Sequence, residues 1–351
     1  MTTVDVPHSS RSAVLRVSAV INETADSCSL VFDVPEELRE RFTYQPGQFL
    51  TLRIPSELTG SVSRCYSLAS SPYTDDKPKV TVKRTVDGYA SNWVCDNVTA
   101  GSTLEVLPPS GVFTPKNLDE DLLLFAAGSG ITPVMAILKS ALARGNGRIV
   151  VVYANRDHES VIFAAELREL ADKHPQRLVV IHWLEHLQGL PTADALATLT
   201  KPYAGFEAFM CGPKPFMDRV HDALGSIGMP RNRTHAEVFN SLSGDSFADV
   251  APTELSDEEA ADTASVEVEL DGETHELTWP RSQTLVDIML SKGLDVPYSC
   301  LEGECGSCAC TVLEGTVEME NAEILDPEDI ANGYILGCQA RPVTDHLKIQ
   351  F

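Results

Sequence analysis

The chain has 351 residues and no uninterrupted apolar run near the roughly 20 residues that a membrane span requires. Its N-terminus, MTTVDVPHSSRSAVLRV, lacks the charged head and apolar stretch of a secretory signal. These two absences set the expectation of a cytoplasmic protein that does not enter a membrane. Basic residues are scarce, 27 Lys and Arg against 51 Asp and Glu, for a formal net charge of −24. A surface so poor in cations is not expected to bind nucleic acid, which is held through its phosphates. Internal repeats are missing as well, which excludes solenoid architectures.

Cysteine, by contrast, is concentrated. Four of nine lie in the eleven residues C-L-E-G-E-C-G-S-C-A-C that begin at Cys300. A disulfide knot, a zinc site and an iron–sulfur cluster all use such a run. A reducing compartment argues against disulfides, and the odd total argues the same way. Zinc sites favour paired C-x2-C hooks, and here Cys305 and Cys308 alone have that spacing. The order Cys300-x4-Cys305-x2-Cys308, then 29 intervening residues, then Cys338 is the plant-type pattern for a [2Fe–2S] cluster. Two irons need four thiolates, two each, and these four cysteines supply them. Gly303 and Gly306 let the backbone approach the sulfides. Cys310 has no place in the ligand count and reads as a small buried side chain.

The negative charge is uneven. Residues 1–240 carry a balance of −4, residues 241–264 hold seven acids and no base, and residues 265–351 carry −13. The acidic last third suits a basic patch on another protein. Glu302 and Glu304 within the cysteine run read either as part of such a docking rim or as solvated loop charges.

Hydrophobic content of 43% and a length of 351 residues indicate a globular protein of two or three domains. The stretch 241–264 is small, polar and acidic, the composition of a linker. Short β-rich runs punctuated by Pro46-Gly47, Ser71-Pro72 and Asp87-Gly88 predict an antiparallel barrel before residue 115. Beyond it, strands near 122–127, 149–153, 178–183 and 208–210 alternate with helices near 134–143, 161–173, 192–199 and 215–227. That rhythm predicts a parallel sheet covered on both faces. A hairpin turning at Asp271-Gly272 and a helix near 284–292 precede the cysteine run.

Residues 265–351 resemble a plant-type ferredoxin, and residues 1–240 resemble the flavin-plus-nicotinamide module of the ferredoxin reductase superfamily. The residues that carry the second resemblance are Arg64-Cys65-Tyr66-Ser67 (R-x-Y-S), Gly88 to Ser91 (G-x-x-S), Pro108 to Phe113, Gly128-Ser129-Gly130-Ile131-Thr132-Pro133 (G-x-G-x-x-P), Cys211-Gly212-Pro213 and Glu237-Val238-Phe239. They occur in family order. The resemblance implies a multidomain chain: a flavin-binding antiparallel β-barrel at 11–115, an α/β nicotinamide domain at 116–240, an acidic linker at 241–264 and an α+β (β-grasp) ferredoxin domain at 265–351.

It also implies site roles. Arg64, Tyr66, Ser67, Lys83, Gly88, Ser91, Gly111 and Phe113 would hold the flavin. Gly128, Gly130, Thr132, Pro133, Cys211, Gly212 and Pro213 would border the nicotinamide cofactor, with Phe239 beside the flavin. Ser67, Cys211 and Glu237 would stand at the hydride-transfer centre. From the residues alone, Ser91 also reads as a helix N-cap and Lys83 as a solvated strand lysine. FAD is expected over FMN because the G-x-x-S segment for a second phosphate is present. NADH is expected over NADPH because Asp157 and Glu159, which follow Arg156, would repel the 2′-phosphate that this one arginine could greet.

Flavin first and ferredoxin last is the order of reductases serving multicomponent oxygenases. The implied route is nicotinamide to flavin to cluster to a Rieske-type terminal oxygenase, and the linker would let the ferredoxin swing between flavin and acceptor. GSVSRCYSLASSPYTDD, VTVKRTVDGYASNW and YANRDHESVIF resemble the branch serving steroid-hydroxylating oxygenases, with the reductases of phenylacetyl-CoA epoxidation as the near alternative. The chain has no C-x-H…C-x-x-H run, so it is not expected to be an oxygenase itself.

Overall fold

The structure, a computed structural model, describes residues 11–239, 242, 244–247, 262–270, 272–294, 296–322, 324–325 and 327–351. Six strands build the first sheet: β1 (Ala13–Thr24), β2 (Ser27–Asp33), β3 (Phe49–Ser56), β4 (Gly60–Ser67), β5 (Lys79–Lys83) and β6 (Thr103–Val106). They run antiparallel in the order β4-β3-β6-β1-β2-β5. A bridge between Leu68 and Val80, beside the end of β4, joins the two edges into a barrel. Alternation fills it: Ala13, Leu15 and Val17 of β1 point inward with Leu50, Leu52 and Ile54 of β3. The helix Tyr89–Asn97 packs Ala90 and Val94 onto the same core.

The second sheet is parallel, in the order β11-β10-β7-β8-β9, from β7 (Leu122–Ala127), β8 (Ile149–Asn155), β9 (Leu178–Leu184), β10 (Glu207–Cys211) and β11 (Thr234–Glu237). Every residue of β7, LLLFAA, is buried, because successive side chains serve two different cores. Leu122, Leu124 and Ala126 meet the helices Ile131–Arg144 and Ala164–Lys173. Leu123, Phe125 and Ala127 meet Ala193–Thr200 and Lys214–Ser226. The helix expected from 161 begins instead at Ala164. Phe163 takes a left-handed conformation, φ 61°, and Val161 and Ile162 are buried in the turn before it. β7 has β8 on one side and β10 on the other. The crevice at their C-terminal ends is therefore a topological switch point, the place where open α/β sheets bind ligands.

The third sheet is mixed, in the order β13-β12-β18-β14-β16. It comprises β12 (Thr263–Leu270), β13 (Glu273–Pro280), β14 (Ala309–Glu314), β16 (Tyr334–Leu336) and β18 (His346–Gln350), with β15 (Val317–Met319) and β17 (Ala340–Pro342) as a separate pair. β12 and β18 are parallel neighbours, and the helix Leu285–Ser291 packs onto the sheet as in a β-grasp fold. Thr284 and Asp287 start that helix with a capping box. Among the described residues no helix is long and apolar enough to cross a membrane.

The acidic stretch 241–264 is not uniformly a linker. Asp262 pairs with Arg281 at 3.1 Å and Thr263 already begins β12. At the other end Leu242, Ser246 and Phe247 are buried. Asp245 accepts from Arg53 at 3.1 Å, the Arg53 guanidinium stands 5.3 Å from the Phe247 ring, and the Ser246 N–H donates to Ser63 Oγ at 3.2 Å. Residues 242 and 244–247 thus form a strap on the barrel. The remainder of the expected tether, 248–261, lies outside the described residues.

A buried cation helps to fasten the barrel to the parallel sheet. Lys139 Nζ meets Asp75 of the barrel side at 2.7 Å and Glu166 at 2.7 Å, and Glu166 also pairs with Lys79 at 3.2 Å. Burial opposes its charge, but the bonds to Asp75 and Glu166 outweigh it and the lysine is held above its ordinary pKa. Lys139→Met takes the cation from two part-buried carboxylates, leaving Glu166 with Lys79 and Asp75 with the Ser71 N–H. It is expected to cost about 2 kcal/mol of stability, read as a lowered denaturation midpoint at neutral pH.

Candidate functional site

The expected flavin residues fall on one side of the barrel. β4 carries Arg64, Cys65, Tyr66 and Ser67 opposite Leu52, Thr51, Leu50 and Phe49 of β3. Tyr66 lies against the barrel core, and Ser67 faces a cleft. Arg64 donates to Ser63 O at 2.7 Å and to Leu242 O of the strap at 3.0 Å. Gly88 caps the helix Tyr89–Asn97 with no side-chain hydrogen bond to its first N–H groups, leaving a donor-rich helix start. A Cβ on Gly88 would stand 2.8 Å from Thr85 Cβ, so the turn admits glycine alone. Ser91 is not the N-cap. It is buried inside the first turn, and its Oγ accepts from the Thr85 N–H at 3.0 Å. Nor is Lys83 a solvated strand lysine. It is partly buried, pairs with Asp26 at 3.8 Å and approaches Gly128.

Gly111, φ 115°, turns beneath the Phe49 ring, and Phe113 is buried edge-on against Phe209 at 5.4 Å. Phe113 thereby belongs to the core shared by barrel and parallel sheet as much as to the cleft it borders.

At the switch point the glycine loop and the cysteine turn cross. A Cβ on Gly130 would lie 2.1 Å from Cys211 O, and one on Gly212 would lie 2.9 Å from Ala127 Cβ. Only glycine permits this approach. The helix Ile131–Arg144 opens at Gly130 without a side-chain cap, and Thr132 is turned back onto Ser129 O at 3.0 Å. Pro133 is buried in the same first turn, where its missing N–H costs nothing. Beside this start, Asn155 ends β8. Its side-chain oxygen and nitrogen are buried without a hydrogen-bond partner among the described residues. An unmet amide next to an uncapped helix start suits a polar, anionic ligand such as a dinucleotide. Arg156, which follows, is bound to Asp157 at 3.1 Å, and that contact holds Asp157 down to about 2.

Cys211 and Glu237 are register partners at the ends of β10 and β11, and Ser67 Oγ donates to Glu237 Oε2 at 3.1 Å. Burial pushes Glu237 up to about 8, with the Ser67 bond opposing it. Burial, with Glu237 nearby, holds the Cys211 thiol well above its ordinary range. The structure so gathers Ser67, Cys211 and Glu237, which the sequence places 144 and 26 residues apart. Phe239 is 48% exposed and stands at the rim of the cleft.

The four cysteines of the spacing pattern come together as two pairs. Cys300 neighbours Cys305, and Cys308 neighbours Cys338, closely enough for each thiol to shift the other's titration. Backbone donors already reach the sulfurs: Glu302 N–H to Cys300 Sγ and Cys338 N–H to Cys308 Sγ, each at 3.4 Å. The Gln339 amide donates to Cys338 Sγ at 3.6 Å. Gly303, Gly306 and Leu301 all take positive φ to wrap the loop. Among the described residues no three His, Cys, Asp or Glu side chains converge as ligands of a single ion. Two thiol pairs ringed by N–H donors fit a binuclear iron–sulfide core. Cys310 is buried in β14, and burial holds its thiol up. Glu302 and Glu304 are only partly exposed. Asn321 Nδ2 reaches Glu302 O at 2.8 Å and Glu304 Oε1 at 3.3 Å, and the Glu302 carboxylate lies against Gly244 of the strap.

One cleft of about 1550 Å³ joins these parts, with Ser67 and Cys65 from β4, Glu237 and Phe239 after β11, and Cys305 and Gly306 from the cysteine loop on its walls. Sequence reasoning missed Thr51, Ser299 and the strap. Thr51 Oγ1 and Ser299 Oγ meet at 2.9 Å across 248 residues of chain, a separation no local pattern reports.

Comparison with known proteins agrees with this layout. Residues 14–114 match the oxidoreductase FAD-binding domain, 124–222 the oxidoreductase NAD-binding domain, and 268–343 the 2Fe-2S iron-sulfur cluster binding domain. The chain is 75% identical to the 3-ketosteroid-9-alpha-monooxygenase ferredoxin reductase component of Rhodococcus rhodochrous, over 100% of both chains. It is 34% identical to a component of the 1,2-phenylacetyl-CoA epoxidase of Escherichia coli, over 96% of this chain and 97% of that one. The fold is that of phthalate dioxygenase reductase, TM-score 0.57 at 23% identity, covering 97% of this chain and 98% of that structure. The chain belongs to the family of FAD-, NAD- and [2Fe–2S]-binding ferredoxin reductases that contains the 3-ketosteroid-9-alpha-monooxygenase reductase components.

Proposed function

We propose that this protein oxidises NADH and delivers its electrons, one at a time, to a Rieske-type terminal oxygenase that hydroxylates 3-ketosteroids at the 9α position. The observation that carries the reading is the single cleft onto which Ser67, Glu237 and Cys305 all open. Identity of 75% over the whole chain to a 3-ketosteroid-9-alpha-monooxygenase reductase component supports the choice of oxygenase. FAD bound on the barrel supplies the change from hydride to single-electron transfer, and a [2Fe–2S] cluster supplies a one-electron outlet.

The chain's own residues bind and orient. The uncapped helix starts at Gly88 and Gly130 offer N–H groups to the two dinucleotides. Lys83, between barrel and glycine loop, adds a cation where their phosphates approach. Tyr66 and Phe239 offer ring faces on either side of the flavin position. Ser67 and the Glu237 carboxyl fix a polar edge there, while Cys211, buried beside Glu237 and kept as a thiol, adds no charge. Cys300, Cys305, Cys308 and Cys338 are the cluster ligands.

The test is anaerobic reduction by NADH followed by cytochrome c reduction, repeated with Cys338→Ser. The variant is expected to lose iron and acid-labile sulfide and at least about tenfold of its cytochrome c reduction, with flavin reduction by NADH preserved. Wild-type protein that holds no iron, or passes no electron to any one-electron acceptor, would refute the reading. Coupling to an epoxidase rather than to a steroid-hydroxylating oxygenase would refute the choice of partner.

Cofactor choice follows from Arg156, whose charge is engaged by Asp157. Asp157→Asn releases the guanidinium and is expected to raise kcat/KM for NADPH by about tenfold with NADH little changed. Steady-state kinetics with both cofactors reads this.

Glu237 gives a pH signature. Its carboxyl is raised from 4.5 to about 8 in the folded chain, so the folded state holds a proton that the unfolded state has lost between those values. Stability must fall as pH rises through that window. Glu237→Gln is expected to flatten the fall, which amounts to about 2–4 kcal/mol across the window, in denaturation midpoints of flavin-free protein.

A further inference from the structure

The cysteine loop is seated on the flavin barrel by a directional contact. Thr51 is 1% exposed and Ser299 is 2% exposed, so both hydroxyls are sealed from water, and they bond each other at 2.9 Å. Thr51 is the register partner of Cys65 in the R-C-Y-S strand, and its Oγ1 lies 3.4 Å from Cys65 Sγ. Ser299 directly precedes Cys300. Cys65 and Cys305 line the same cleft, and the Cys65 thiol is within electrostatic reach of Cys300. Hydroxyl to hydroxyl, the contact therefore links β3, the strand paired with the one carrying Cys65 and Ser67, to the loop carrying the first two expected ligands.

Neighbouring contacts hold the same seam. The Arg11 guanidinium stacks on the Tyr298 ring at 3.8 Å and donates to Ser246 O of the strap at 3.0 Å. Val112 of the barrel side abuts Gly306. The directional Arg11 bond runs to the strap rather than to the loop, and stacking and apolar contact tolerate sliding. The hydroxyl pair does not. Tilting the loop would leave the buried Ser299 hydroxyl unbonded and Thr51 with only the weak Cys65 thiol contact, which is costly.

We infer that Thr51 and Ser299 are positioning residues for electron transfer: their hydroxyl bond seats the Cys300–Cys305 edge of the cluster site against the flavin strand at Cys65, so that the cluster is reduced with the ferredoxin part docked as in this structure. The inference rests on the proposed reductase function and adds the geometry of its internal step. In that step reduced flavin, supplied with electrons by NADH, loses one electron, a ferric iron of the cluster gains it, and no covalent bond is made or broken. The strap and the seam together make a swing of the ferredoxin unnecessary for this step.

The test uses holoprotein carrying Thr51→Val, Thr51→Ser or Ser299→Ala. With NADH under anaerobic rapid mixing, flavin bleaching is expected to keep the wild-type rate in all three. Cluster reduction, read by electron paramagnetic resonance after rapid freezing, is expected to slow about tenfold in Thr51→Val and Ser299→Ala and to recover in Thr51→Ser. Independently of turnover, hydrogen exchange in peptides covering 61–67 and 296–306 should accelerate in Thr51→Val at unchanged iron and sulfide content. Wild-type cluster reduction in Thr51→Val, or equal slowing of both steps, overturns the positioning role. A wild-type protein with no cluster, or whose flavin NADH does not reduce, overturns the functional reading beneath it instead.

Discussion

Electrons cross protein only over short gaps, and this constraint governs how the three sheets are assembled. Each sheet has its own core: the barrel around Leu52 and Ile54, the parallel sheet around β7, the ferredoxin around Val268 and Ile349. Burial alone does not say which edges should meet. The edges that do meet are the end of β4, the C-terminal ends of β10 and β11, and the cysteine loop, all on one cleft. Polar pairs set those contacts. Ser67 to Glu237 and Lys139 to Asp75 join the barrel to the parallel sheet, and Thr51 to Ser299 joins the barrel to the ferredoxin. Apolar contact is nonspecific in orientation, whereas a buried donor and acceptor have one good geometry. Specificity of assembly therefore resides in few residues, and most of the cohesion lies elsewhere.

Glycine supplies the complementary half of that design. At Gly130 the glycine loop runs against the carbonyl of Cys211 so closely that a methyl group has no room. The contact fixes β7 to β10 at the switch point and leaves the helix start at Gly130 open. A capped helix would satisfy its own N–H groups and have less to offer a phosphate. The same economy holds at Gly88, where the serine of the G-x-x-S segment bonds back to the turn and leaves the helix start clear. In both places the N-cap position is a glycine, which has no side chain to occupy the first N–H groups.

How far the sequence reveals this depends on distance along the chain. The expected cluster ligands are legible as a pattern because three lie within nine residues at the spacing that wrapping a small inorganic core asks for. The pairing of Cys300 with Cys305 and Cys308 with Cys338 was not legible, since spacing does not say which sulfurs meet. β7 is legible as an apolar run, yet that run says nothing of the two separate cores it feeds. The residues 161–163 continue the apolar pattern of the following helix, and periodicity extends the helix over them. Only the left-handed Phe163 breaks it. Phe113 carries a motif position and a core position at once, and a motif match reports the first alone.

The acidic stretch shows why composition misleads at a boundary. Seven acids and no base in 24 residues describe a solvated tether on average. Averages hide two things. Leu242 and Phe247 are apolar, and they are buried on the barrel. Asp245, though exposed, is a partner for Arg53, which also binds Glu105 at 3.2 Å. A basic residue on the barrel thus recruits part of the acidic surplus to hold the chain down, and Glu302 of the cysteine loop is turned against the same strap. Acids spent inside the molecule are not available to a partner protein. The charge that remains for docking includes the exposed Glu314 and Glu318, while the exposed Glu320 is paired with Arg341 at 3.2 Å. Glu314 stands at the opposite end of β14 from Ala309, which lines the cleft, and Glu320 borders a small recess with Leu301, Cys338 and Gln339. Electron entry beside Cys305 and electron exit beside Cys338 would then use different faces of the same small domain, which is what a docked rather than a swinging ferredoxin requires.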